Sequence, residues 1–181
     1  VDVALAVIEG LEGDDEELAR AHEIRAFVAL LGGRHDEATL HAREATVAAR
    51  RSGSRAADAR ASSVQGSVLQ ARGLVRDAAA CFERAFELAD AAGERYAAAS
   101  YLVNVALGRL ERGAAGPAIE ALREGARRLT ELGRRRDATR ALYNLGNAGA
   151  LVGDDDLARG AVRRARAWAD ESGDAVASAL S

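Results

Sequence analysis

The sequence predicts an all-α protein built from a repeated pair of helices. Two glycine series, each with a forty-residue period, are offset from one another by twenty residues: Gly33, Gly73, Gly113 and Gly153, and Gly13, Gly53, Gly93, Gly133 and Gly173. Self-similarity at a fixed period of this size marks a stacked-repeat protein. No stretch of the chain shows the alternating apolar and polar residues of a strand. The chain is 49% apolar but only 4% aromatic, which indicates close-packed helices with a core of alanine and leucine.

The intervals between the glycines each have room for one helix of about fifteen residues, or about 23 Å at ~1.5 Å rise per residue. An acidic start at Asp14 precedes the first full helix, as the helix dipole favours. The sequence therefore predicts a single repeat array over residues 1–181. Its parts are a partial repeat at 1–12, helical hairpins at 14–52, 54–92, 94–132 and 134–172, and the start of a further helix at 174–181. We expect the chain to be a piece of a longer protein.

The predicted turns carry residues that stop one helix and start the next. Glycine adopts the left-handed conformation that closes a helix, and an Asp or Ser directly after it caps the following helix. This pair of signals occurs at Gly13-Asp14, Gly53-Ser54, Gly153-Asp154 and Gly173-Asp174. Pro117 stands in the expected first turn of a helix, where its missing N–H costs nothing.

The composition excludes several classes of protein and of site. No apolar run approaches the twenty residues of a membrane-spanning helix, and no signal peptide opens the chain, so we expect a soluble, cytoplasmic protein. Cys81 is the only cysteine, which excludes an intrachain disulfide and a cysteine-based zinc cluster. Its neighbours Ala78, Phe82 and Ala85 predict a buried, unreactive thiol.

The helix pairs resemble the tetratricopeptide repeat (TPR), whose first helix has the pattern Trp-x2-Leu-Gly-x2-Tyr and whose second has Ala-x3-Phe-x2-Ala. In the fourth hairpin these places are taken by Leu142, Leu145, Gly146, Gly149, Ala158, Val162 and Ala165, and in the second by Ser62, Gln65, Gly66, Leu69, Ala78, Phe82 and Ala85. The unit here is forty residues instead of about 34, a longer variant similar to the arrays of large bacterial regulators. The resemblance implies a right-handed α-solenoid of antiparallel helix hairpins.

The resemblance also implies that one face of each first helix lines a binding groove. Nine residues on that face are the candidate peptide contacts: Arg60, Ser63, Ser67, Gln70, Asn104, Arg140, Tyr143, Asn144 and Asn147. Asparagine amides both donate to and accept from an extended peptide backbone, and arginines bind acidic side chains. The alternative is structural, with the arginines paired to neighbouring acids and the asparagines bracing adjacent helices.

Catalysis and ion binding have little support. His22, His35 and His41 do not share one helical face at metal-binding spacing and have no obvious carboxylate or thiol partner. The run Asp154–Asp156 is interpreted as a helix cap, and a chain without lysine has no phosphate-binding loop. The basic turn Arg134–Arg136 lacks interleaved aromatic residues, so nucleic-acid binding is disfavoured. We predict no catalytic residue, no metal and no cofactor.

The sequence thus predicts a non-catalytic scaffold or sensor module of a larger bacterial regulator. Its partner would be a protein or an extended peptide segment, acidic in character, and neither a nucleic acid nor a membrane. The alternative is a small-ligand or signal-peptide receptor array that controls an attached effector domain, which a deep enclosed pocket beside Tyr143 would favour. Uncapped helix faces at the two ends of the array further predict end-to-end self-association.

Overall fold

The computed structural model describes residues 14–172, with side chains through Ala169. Eight α-helices lie within this range, and no strand does. They are α1 (Asp15–Leu31), α2 (His35–Ser52), α3 (Arg55–Ala71), α4 (Val75–Ala91), α5 (Arg95–Glu111), α6 (Ala115–Glu131), α7 (Arg135–Leu151) and α8 (Asp155–Ser172). The predicted partial repeat at 1–12 and the predicted helix start at 174–181 lie outside the described residues.

Glycine closes the helices as predicted. All seven glycines of the two series within the described range have positive φ, between 68° and 77°. At the end of α3, Gly73 N–H donates to the carbonyl oxygen of Gln70 at 2.9 Å, and Leu74 N–H donates to that of Leu69 at 2.9 Å. These bonds satisfy two carbonyl groups that have no donor within the helix. They require a left-handed conformation at Gly73, which glycine adopts at little cost.

Three of the four predicted caps lie within the described residues, and all three are confirmed. Asp14 Oδ1 accepts hydrogen bonds from the backbone N–H groups of Glu16 and Glu17, both at 3.1 Å. Ser54 Oγ accepts from Ala57 N–H at 3.2 Å, and Asp154 Oδ1 accepts from the N–H of Leu157 at 2.9 Å. The acidic run at residues 154–156 therefore starts α8, as the cap interpretation requires.

The chain divides into two compact units, residues 1–94 and 95–181. In the first unit, α1 packs on α2, α2 on α3 and α3 on α4, and α1 also contacts α3. Its buried core is mostly alanine, with Val68 and Phe82 as larger members. Alanine lets helices approach closely, so the position of each small residue determines where the next helix fits.

The second unit repeats this arrangement with larger core residues. Helices α5, α6, α7 and α8 pack consecutively, and α5 also contacts α7. Leucines supply much of the buried volume: Leu102, Leu122, Leu129, Leu142 and Leu145. Leu122 and Leu129 are 0% and 1% exposed.

The prediction of an all-α helical repeat solenoid is confirmed by these elements and by their consecutive packing. The handedness of a superhelix and the division into repeats of one array stay predictions. None of the described helices combines the length and the apolar character needed to cross a membrane.

Candidate functional site

The nine predicted contact residues lie on three first helices. Four of them share α3 in the first unit: Arg60, Ser63, Ser67 and Gln70. The other five belong to the second unit, with Asn104 on α5 and Arg140, Tyr143, Asn144 and Asn147 on α7. Residues three or four apart on a helix share a face. The structure thus groups the predicted contacts into one set on each unit.

Arg60 is held by two acids of α1. Its Nη2 donates to Glu16 Oε1 at 3.1 Å, and its Nε donates to Glu23 Oε2 at 3.3 Å. This pairing is the one that the structural alternative expects. An acidic partner would have to compete with both carboxylates for the Arg60 guanidinium.

Glu23 is an unusual member of this face because its side chain is only 9% exposed. Burial raises its pKa to about 7, since the cost of removing the carboxylate from water outweighs the attraction of Arg60. Its second oxygen, Oε1, accepts no hydrogen bond from the described residues. Near neutral pH the α1–α3 contact therefore holds a carboxyl group that is only partly ionised.

The remaining contacts on α3 are partly buried hydroxyl and amide groups. Ser67 Oγ donates to the backbone carbonyl of Ser63 at 3.1 Å, a bond made inside the helix. The Ser67 hydroxyl keeps only its acceptor lone pairs for a partner. The α3 set is thus a weaker donor surface than its sequence suggests.

The set on α7 is more open. Arg140 has 66% of its side chain exposed, and its Nη2 lies 3.9 Å from Asp137 Oδ1, at the limit of an ion pair. Asn147 is exposed, whereas Tyr143 and Asn144 are partly buried. Asn104 holds on α5 the register that Asn144 holds on α7, and these two helices contact each other. The second unit therefore presents amide and guanidinium groups from two neighbouring helices.

A groove between α7 and α8 adds residues that the sequence analysis did not assign to the site. The groove has a volume of about 420 Å³, opens to solvent, and is lined by Gly146, Asn147, Ala150, Ala158, Arg159, Val162 and Arg163. The floor of the groove is apolar, and Arg159 and Arg163 of α8 line it together with Asn147 of α7. The sequence offered no signal for this grouping, because it depends on how closely α8 approaches the two glycines of α7.

Those glycines bring the helices together. A Cβ atom on Gly146 would lie 2.7 Å from Val162 Cγ2, and one on Gly149 would lie 2.9 Å from the backbone nitrogen of Ala158. Both distances are too short for a side chain to be accommodated without movement. Glycine at these two positions therefore allows the close approach of α7 and α8.

A pair of histidines lies away from the predicted contacts. His22 and His41, on α1 and α2, approach to 3.0 Å between their Nδ1 atoms. Burial lowers the pKa of each, and His41 lowers that of His22 further. Within residues 14–172, no three His, Cys, Asp or Glu side chains are grouped as a metal site would require.

The basic turn before α7 is tied to the fold. The Arg134 guanidinium lies 4.0 Å from the centre of the Tyr96 ring, and the Tyr96 hydroxyl donates to Asp137 at 3.0 Å. Cation–π contact and charge pairing hold this arginine in place. The turn is therefore part of the α5–α7 contact.

Cys81 is less buried than the sequence predicts. The residue is half-buried, while its neighbour Phe82 is 2% exposed. Cys81 lies at the edge of the face that α4 buries, one position from the residue that points inward. Burial and the nearby Asp77 carboxylate raise the pKa of its thiol, which lowers the fraction of reactive thiolate.

Comparison with known proteins gives similarity at the level of fold. No protein-family model matches the chain, and no curated protein does. Solved structures do match. A Rap protein complexed with competence and sporulation factor superposes with a TM-score of 0.85 at 20% identity, over 97% of this chain and 50% of its own. The fold is a TPR-like helical solenoid.

Two further solved structures agree with this fold. Aspartyl phosphate phosphatase F from Bacillus subtilis has a TM-score of 0.83 at 16% identity, over 94% of this chain and 45% of its own. A kinesin light chain from Podospora anserina with TPR-like repeats has a TM-score of 0.73 at 13% identity, over 96% and 87%. The chain thus spans about half the length of the Rap protein and of the phosphatase. The forty-residue TPR variant stays a prediction.

Proposed function

We propose that this chain is a non-catalytic module that binds a protein or an extended peptide segment on the first helices of its hairpins. The observation that carries the proposal is the α5–α7 face of the second unit. There Arg140 and Asn147 are exposed, and Asn104 and Asn144 hold the same register on two packed helices.

The spacing of the two helices suits an extended ligand. Neighbouring packed helices lie about 10 Å apart, and an extended chain rises about 3.3 Å per residue. Asn104 and Asn144 would therefore meet every third residue of a bound strand. Each amide can donate to a carbonyl and accept from an N–H of that strand, and Arg140 adds a charge-assisted bond to an acidic side chain.

The structural neighbours support binding without supplying a partner. One of them was solved in complex with competence and sporulation factor, so a solenoid of this fold can hold a separately bound factor. Another is named a phosphatase, and at 16% identity that name describes the neighbour and assigns no activity to this chain. We infer that the chain is a binding and sensing part of a larger bacterial regulator.

Selection of random peptides on the immobilised protein tests the proposal. We expect recovered peptides to be rich in Asp and Glu. Calorimetry should show that Arg140→Ala and Asn144→Ala each weaken binding by about 1–2 kcal/mol, the range for a lost hydrogen bond to a charged or amide group.

Arg123→Ala is the matched control, because Arg123 is an exposed arginine of α6 paired with an acid three residues away, as Arg140 is on α7. It should leave the affinity unchanged. Equal weakening by Arg123→Ala, or the absence of any enriched peptide, would reject the α5–α7 face as the binding surface.

A small-ligand receptor is the second candidate, and the α7–α8 groove is the feature that favours it. Its apolar floor beside Asn147 could hold part of a compact molecule. The groove is open, however, and buries less of a ligand than the enclosed pockets that typify tight small-molecule binding. A compact ligand whose affinity falls with Asn147→Ala but not with Asn104→Ala would select this function over peptide binding.

A further inference from the structure

Arg60 and Arg140 hold the same register two repeats apart, on α3 and α7, but differ in their partners. Arg60 has 30% of its side chain exposed and is held from the preceding first helix, by Glu16 at 3.1 Å and Glu23 at 3.3 Å. The acid partner of Arg140 among the described residues is Asp137 of its own helix, at 3.9 Å, and 66% of the Arg140 side chain is exposed. The first arginine is therefore occupied by carboxylates of the chain, whereas the second is largely open.

This difference originates on the first helix that precedes each arginine. Two repeats after Glu16 and Glu23, α5 has uncharged residues at the same registers, Tyr96 and Val103. Helix α5 contacts α7 as α1 contacts α3. At the two positions from which α1 reaches Arg60, α5 therefore has no carboxylate to offer.

Asp137 does not take the place of those two acids. Its carboxylate accepts a hydrogen bond from the Tyr96 hydroxyl at 3.0 Å and lies 3.7 Å from Arg134 Nε. It also stands in the first turn of α7, where the helix dipole attracts its charge. A charge-assisted hydrogen bond is normally about 2.7–2.9 Å long. At 3.9 Å the Arg140 guanidinium thus keeps its donors for another carboxylate.

We propose that the residue at position 96 determines the acid selectivity of the peptide site, an inference that rests on the proposed function. Tyr96 leaves Arg140 to a carboxylate of the partner, which binds where the Glu16 carboxylate lies at Arg60. Arg60 is the same site in a closed form, occupied by the acids of α1. The intact chain therefore binds one acidic side chain through α7 and none through α3.

Nuclear magnetic resonance of the arginine Nε–Hε groups tests the proposal, with capped tetraglutamate and tetraglutamine peptides as probes. Tetraglutamate should shift the Arg140 signal, while tetraglutamine should not. The Arg60 signal should stay in place with both. Arg123 is the control, because it is exposed and already paired with Glu120 at 3.0 Å. An Arg123 or Arg60 shift equal to that of Arg140 would mean that acids bind unspecifically and would overturn the proposal.

Tyr96→Glu gives α5 the acid that α1 has at this register. It should weaken tetraglutamate binding at Arg140 about fivefold, the upper range for an exposed ion pair. Tyr96→Gln is the matched control, since it removes the ring without adding a charge, and it should leave the affinity unchanged. Tyr96 is 42% exposed, so both variants should keep their helical circular dichroism. An unchanged affinity in Tyr96→Glu, or an equal loss in Tyr96→Gln, would overturn the role of position 96.

The opposite change should open the closed site. Combining Glu16→Gln with Glu23→Gln removes both charges that hold Arg60, so tetraglutamate should now shift the Arg60 signal. Glu16→Gln alone, at a side chain 48% exposed, should give part of this response. An Arg60 signal that stays in place in both variants would show that the α1 acids do not close this site.

The two proposals fail in different ways. If tetraglutamate shifts Arg140 but no random peptide is enriched on the immobilised chain, peptide binding is wrong and the acid selectivity of Arg140 stands. If peptides are enriched and bind the α5–α7 face while Arg140 responds to neither probe, the proposed function stands and this inference is overturned.

Discussion

Helices α1 and α7 hold the same place in their hairpins and differ in the chemistry of their outer faces. At two equivalent registers α1 has Ile24 and Phe27, 58% and 52% exposed, where α7 has Asn144 and Asn147. Toward the partner helix both present small buried residues, Ala26 in α1 and Gly146 in α7. The repeat thus constrains the residues between helices and leaves the outer face open to apolar or amide chemistry. The fold alone does not determine what each face binds.

The buried residues also differ between hairpins. Where the second helix of a hairpin has a larger side chain, the facing residue on the first helix is small. One alanine faces another in α1–α2, glycine faces phenylalanine in α3–α4, and glycine faces valine in α7–α8: Ala26 and Ala42, Gly66 and Phe82, Gly146 and Val162. A Cβ atom on Gly66 would lie 2.7 Å from Phe82 Cε1. The equivalent residues of α5–α6 are Ala106 and Leu122, so a larger side chain on the second helix is matched by glycine or alanine on the first, as close packing demands.

The largest effect is expected from Phe82→Ala. This substitution places on α4 the alanine that α2 has at the equivalent position, Ala42. Phe82 is 2% exposed and its ring rests on Gly66, so its removal leaves a cavity. We expect the free energy of unfolding to fall by about 3–5 kcal/mol. Urea denaturation followed by circular dichroism measures it.

Adding Gly66→Ala to Phe82→Ala recreates the alanine pair of α1–α2 and should recover part of the loss. Gly160→Ala is the control, because a Cβ atom there would meet no neighbour and reports helix propensity alone, about 1 kcal/mol. Recovery no greater than the gain from Gly160→Ala would show that the two positions do not exchange volume.

The helix ends were predictable because the signals are local. The conformation of Gly73 and the cap at Ser54 depend only on residues within one turn, and both were visible in the sequence. The helical repeat followed from the spacing of such signals. The exchange between Gly66 and Phe82 was hidden, because it depends on two residues sixteen positions apart whose distance only the packed hairpin defines.

The candidate site was less predictable than the fold. The resemblance assigned Arg60 to the face expected to line a groove, but the acids that pair with it lie on a neighbouring helix, and their distance from Arg60 depends on the α1–α3 contact. Likewise, Arg159 and Arg163 of α8 lie on the same groove as Asn147 of α7, a grouping that depends on how the two helices pack. Side-chain partners on different helices can be identified only from the tertiary structure.

A smaller, pH-dependent effect is expected from Glu23→Gln, which removes the buried acid that distinguishes α1 from α7. The pKa of the Glu23 carboxyl group rises from about 4.5 in the unfolded chain to about 7 in the fold. Its contribution to stability is therefore fully present below about pH 4.5 and is lost as the pH rises through about 7. At about pH 8 the variant should exceed the wild type by up to about 3 kcal/mol, and at about pH 5 the difference should shrink toward zero.

Glu16→Gln is the control for Glu23→Gln, because Glu16 accepts from the same arginine but has 48% of its side chain exposed. Its effect should vary little between the two pH values. If Glu23→Gln changed stability equally at both, the buried carboxyl would not be the source of the pH dependence.

The smallest effect is expected from Phe27→Asn, which gives α1 the residue that α7 has at the same register. Phe27 is 52% exposed, and phenylalanine and asparagine have similar helix propensities, so the free energy of unfolding should change by about 1 kcal/mol or less. Val68→Asn, at a site 2% exposed in the same unit, should cost at least about 2 kcal/mol because it buries an amide among alanines. A large loss in Phe27→Asn at high protein concentration that disappears on dilution would mean that the ring is buried between copies. A large loss at every concentration would mean that the α1 face is part of the folded core, and the contrast between α1 and α7 would then be one of packing instead of surface chemistry.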